Sequence, residues 1–82
     1  MTRREWWRTL NERWWAVSRI IENSIGEDRL KKANRYRQKR KYDVVHVMKH
    51  AYNSTPYSVE LHQQPGWGTM CRLIQFYDWG FE

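Results

Sequence analysis

The sequence predicts an α+β domain, with two or three N-terminal helices followed by a C-terminal β-hairpin packed on them. Three observations predict it. Apolar residues recur at helical spacing from Trp6 to Ala51, Asn53-Ser54-Thr55-Pro56 interrupts that pattern, and the run beyond it opens with strand-like alternation. The 82 residues make a single domain, 1–82, of a size that hides only about 60% of the surface its unfolded chain exposes. Few, large side chains must therefore build the core. Six Trp, five Tyr and two Phe fit that need, and they equally suit an interface.

Thr2 and Glu5 have the spacing of a capping box and open a helix that continues to about Asn23 or Ser24. At 100° per residue Trp6, Trp7, Leu10, Trp14, Val17, Ile21 and Ile25 share one face, and Gly26 supplies the stop. The steps from Trp7 through Leu10, Trp14 and Val17 to Ile21 also read as a short a/d seam. Such a seam suits an antiparallel helix pair or a homodimer through the first helix. Trp15 falls off the stripe, among Arg4, Arg8, Asn11, Arg19 and Glu22. It either packs on a second element, such as the C-terminal hairpin, or serves as a stacking or hot-spot residue between arginines.

Glu27 and Asp28 suit the first turn of the next helix, where carboxylates meet the positive end of the dipole. Leu30, Ala33, Tyr36, Val44, Val47, Met48 and Ala51 stay in phase if that helix runs unbroken to about Tyr52, although Arg37 and Arg40 interrupt the face. The alternative is two helices with a break near Tyr42-Asp43, Asp43 acting as N-cap. A strand over Tyr42 to Met48 is the lesser option, suggested by its valines. After the breakers, Tyr57, Val59 and Leu61 alternate with Ser58, Glu60 and His62 as a half-buried strand. Gln64-Pro65-Gly66-Trp67-Gly68 makes a turn, and Thr69 to Trp79 returns as a second strand. The spacing of Met70, Leu73, Ile74 and Tyr77 would also suit a helix.

Charge is concentrated in one place. Residues 1–28 are neutral overall, 29–42 carry eight Lys or Arg and no acid, and 43–82 net −2, within a chain of +6. A solvated helix face normally mixes both signs, so this segment points to an anionic partner. On a helix Lys31, Lys32, Arg35 and Lys39 cluster opposite Leu30, Ala33, Tyr36 and Val47. His46, Lys49 and His50 extend that face if the helix continues. Arg29 joins the same segment, and Arg37, Arg40 and Lys41 reach over the rim. Such a stripe tracks phosphates, giving affinity and register with little sequence choice, while Tyr36 and Tyr42 are placed to stack on unpaired bases. No zinc finger, RNP signature, GXXG loop or basic zipper is present, so the type of module stays open.

Signals for chemistry are weak. His46 and His50 have an i, i+4 metal-ligand spacing, but no third ligand is singled out, and neither metal nor cofactor is expected. Arg40 and His46 fit the loose R-x(4-6)-H spacing of one class of metal-independent ribonucleases, a match that ten arginines make easy by chance. There is no phosphate-binding glycine loop and no nucleophile paired with a base, and Cys71 sits in an apolar pattern. The chain reads as non-enzymatic.

Cys71 is the single cysteine, so no intramolecular disulfide forms and a reducing, cytoplasmic setting is expected. No apolar run approaches the roughly 20 residues of a membrane span, and no signal peptide is evident. The Trp-Arg pairs of the first helix would favour a bilayer interface, but Glu5 and Glu12 offset them, so no membrane partner is expected. The leading expectation is a small regulatory or accessory protein that binds DNA or RNA through Arg29, Lys31, Lys32, Arg35, Tyr36, Arg37, Lys39, Arg40 and Lys41. The alternative is an interaction module or inhibitor, of a kind a virus or mobile element encodes. It would dock on an acidic protein surface through the same patch with Trp15 as anchor.

Overall fold

A computed structural model describes residues 1–39, 41–54 and 59–80, leaving aside the side chains at 41, 42, 59 and 60. Every regular element among them is an α-helix: α1 (Arg3–Glu12), α2 (Trp14–Ile25), α3 (Glu27–Lys39), α4 (Lys41–Ser54), α5 (Val59–Gln63) and α6 (Trp67–Trp79). Helices α2, α3 and α4 pack on one another. α6 lies against α2 and α4, α1 against α2 and α6, and α5 against α6.

The α+β expectation is therefore corrected: among the described residues there is no strand and no β-hairpin. Residues 67–79, expected as a turn and the second strand, are α6, and 59–63 are α5. Trp67, Met70, Leu73 and Ile74 are all buried, a 3–4 residue period that one helical face satisfies and an alternating strand does not. The alternation at Tyr57, Val59 and Leu61 is too short to decide the fold, and Tyr57 lies outside the described residues. The predicted turn survives at Gly66, whose left-handed backbone (φ 89°, ψ −10°) precedes α6. A Cβ built there would come within 2.6 Å of the Ala16 carbonyl carbon, so the close approach of α6 to α2 also requires glycine.

The first predicted helix is divided. Thr2 caps α1 as expected, its Oγ1 accepting from the Glu5 N–H at 3.2 Å, but the regular helix ends at Arg13 and restarts at Trp14. The apolar stripe keeps its role across the break. Trp6, Leu10, Trp14, Val17 and Ile21 are buried within the chain itself, joined by Ile20. Trp6 reaches α6, with its ring 5.7 Å from that of Tyr77. Gly26, with φ 98°, ends α2 as predicted, and its carbonyl accepts from Leu30 N–H to begin α3 at once.

Helices α3 and α4 are a folded-back pair, so residues 28–52 form two helices and not one, but α4 starts at Lys41, which puts Asp43 inside its first turn and not at its N-cap. Arg29 and His50 line one groove, whereas on an unbroken helix they would stand about 30 Å apart. Folding back places Ala33 in the same core as Val44, Val47, Met48 and Ala51, all buried, and the strand option for 42–48 falls with it. Among the described residues no helix is long and apolar enough to cross a membrane.

Candidate functional site

The cations of α3 separate into three groups because the helix has neighbours on two sides. Lys31, Arg35 and Lys39, at i, i+4 and i+8, are exposed and rise about 6 Å per step along the outer face. Lys31 lies 3.4 Å from Glu27, but both side chains are about two-thirds exposed, and such i, i+4 pairs are worth only about 0.3–0.5 kcal/mol. The outer face thus keeps its positive character beyond the first turn, since α3 has no acidic residue after Asp28.

Arg37 points the other way. Its guanidinium lies 4.7 Å from the centre of the Trp14 ring, and the Trp14 indole donates to Asn34 Oδ1. These contacts bind α3 to α2 and give Arg37 a packing role that charge counting alone did not separate from binding. Arg40, and the side chain of Lys41, lie outside the described residues, and so does the Arg40–His46 pairing.

The third group faces α4. Arg29, Lys32 and Tyr36 from α3 and Asp43, His46 and His50 from α4 line a groove of about 220 Å³, with Ile25 and Val47 as its apolar wall. Lys32 Nζ sits 5.6 Å from the Tyr36 ring centre, so this tyrosine already carries a cation. Among the described residues no carboxylate pairs with Arg29 or Lys32, and His46 and His50 are exposed at the rim. The histidines join this face by the return of the chain and not by continuation of α3. Lys49 does not join it, since it turns to α6 and pairs with Asp78 beside the Tyr77 ring.

Trp15 lies outside the groove and is 61% exposed, so the hairpin expected to cover it does not bury it; Trp79, at the end of α6, is 80% exposed. Cys71 is half-buried on α6, and desolvation pushes its thiol pKa up, partly opposed by a backbone hydrogen bond. Among the described residues no group of three or more His, Cys, Asp or Glu could hold a metal ion. No protein-family model, curated protein or solved structure matches the chain.

Proposed function

We propose that this chain is a small, non-enzymatic, cytoplasmic protein that binds nucleic acid through α3 in a regulatory or accessory role. The observation that carries the reading is the exposed, predominantly positive outer face, Lys31, Arg35 and Lys39 in line, flanked by Arg29 and Lys32 at the groove. A row of mobile cations on a rigid helix suits a phosphate backbone. Each phosphate neutralised releases condensed counterions, so affinity falls steeply with salt. Exchanging Lys31, Arg35 and Lys39 together for Gln lowers the slope of log affinity against log salt by roughly 3 units and leaves the fold intact, because none of the three is buried. An unchanged slope removes this face from the site.

A second reading rests on a different observation. Trp15 is a large apolar side chain exposed on the surface, as an interface anchor would be, and it favours a protein partner, whose surface would be acidic where it meets the cations of α3. The two readings separate on Trp15→Ala. That change weakens protein docking by about 2 kcal/mol or more if Trp15 is an anchor, and leaves phosphate-driven binding nearly unaltered.

A further inference from the structure

We infer that the α3–α4 groove is a pocket for the terminal phosphate monoester of a nucleic-acid strand, a use that rests on the nucleic-acid reading and is separate from the outer face. The two surfaces differ in shape. A straight row of exposed cations serves a continuous run of phosphodiesters, whereas the groove is concave and holds only about 220 Å³. That is below the roughly 300 Å³ at which pockets for drug-sized ligands begin, so it accommodates a small group and not a large cofactor.

Its chemistry favours a compact dianion. Arg29 and Lys32 approach from one helix and His46 and His50 from the other, with Asp43 as the opposing charge and Tyr36 as a neutral hydroxyl donor. Among the described lining residues two fixed cations, Arg29 and Lys32, stand against one carboxylate, Asp43. A phosphate monoester carries about −1.5 to −2 near neutrality, against −1 for an internal phosphodiester, and exposes three terminal oxygens to donors from two sides. The arginine and lysine supply fixed charge, and the two imidazoles add ring N–H donors from the opposite helix.

Among the described residues, Arg29, Lys32 and Tyr36 from α3, Asp43 from α4 and Ile25 from α2 line the groove with the two imidazoles.

The experiment compares one labelled single-stranded oligonucleotide carrying a 5′-phosphate, a 3′-phosphate or hydroxyls at both ends, bound to the full chain and to a His46→Gln, His50→Gln double variant. Both histidines are exposed, so the variant keeps the fold, which circular dichroism verifies. The wild type binds one phosphorylated end about tenfold or more tighter than the hydroxyl end, the gain expected from an added charge-assisted hydrogen bond. The more favoured end identifies which terminus the groove takes. The variant loses the preference while retaining its affinity for the hydroxyl-ended strand. Equal binding of all three strands by the wild type overturns the pocket and leaves the outer face standing. An end preference that survives in the variant also overturns it. Absence of binding to any strand overturns both the pocket and the nucleic-acid reading.

Discussion

The indole of Trp6 donates its Nε1–H to the main-chain carbonyl of Leu73 at 2.8 Å, a buried bond between residues 67 positions apart. It ties the first helix to the last. Trp6 is 2% exposed and stacks beside Trp7 with ring centres 5.8 Å apart, so one side chain supplies both apolar burial and a satisfied polar contact. Trp6→Phe removes the donor and part of the ring, and is expected to lower stability by about 1–3 kcal/mol in urea denaturation. Trp15→Phe, at an exposed position, should fall within about 0.5 kcal/mol of the parent. Equal losses for both would contradict the role given to the Trp6–Leu73 bond.

Gly66 and Gly68 are two residues apart and predicted to respond in opposite senses. Alanine at Gly66 meets a positive φ and the Ala16 backbone, so Gly66→Ala should cost more than about 1 kcal/mol. At Gly68, inside α6, nothing lies within 4 Å of an added Cβ, and alanine should stabilise by up to about 1 kcal/mol. Thermal unfolding of the two variants checks both signs together.

Arg35 and Arg37 separate binding from packing. Arg37→Gln gives up the contact with the Trp14 ring and should reduce stability by about 0.5–2 kcal/mol, with little change in the salt dependence of nucleic-acid binding. Arg35→Gln should leave stability within about 0.5 kcal/mol and lower the salt slope by about 1. Paired denaturation and binding titrations would expose a reversal of these roles.

Cys71 should react slowly with thiol reagents. Burial disfavours its thiolate, so at mildly alkaline pH the folded chain offers less of the reactive form than the unfolded one. Because the thiol pKa is raised on folding, the associated stability is fully present below the unfolded pKa and is lost as pH rises through the folded one. Alkylation rates with and without urea test the first point, and a parent-minus-Cys71→Ala stability difference across alkaline pH tests the second. Equal rates in both states would contradict the assigned burial.

The apolar stripe of the first 25 residues was legible in the sequence because a 3.6-residue period leaves a clear trace. Trp6, Leu10, Trp14, Val17 and Ile21 are buried as predicted, Thr2 caps the first helix, and Gly26 ends the second. The C-terminal hairpin was misread because aromatic and β-branched residues suggested strands, whereas burial of Met70, Leu73 and Ile74 on one face of α6 overrides that local preference. The spacing that suited a helix was the better signal. In the basic segment the charge itself was plain, but its division was not. Which cations face solvent, which face α4 and which packs on Trp14 depends on where the chain turns back, and that is decided by tertiary packing. The i, i+4 spacing of His46 and His50 suggests only a metal-ligand pair in the sequence, while their position beside Arg29 and Lys32 follows only from the folded-back pair.

The most direct test of the central claim is a fluorescence-anisotropy titration of the intact chain against labelled single- and double-stranded oligonucleotides at two salt concentrations. The account predicts binding at micromolar or tighter affinity at low salt that weakens steeply as salt rises. Absence of binding at low salt would contradict it, and the exposed Trp15 would then direct the search toward a protein partner.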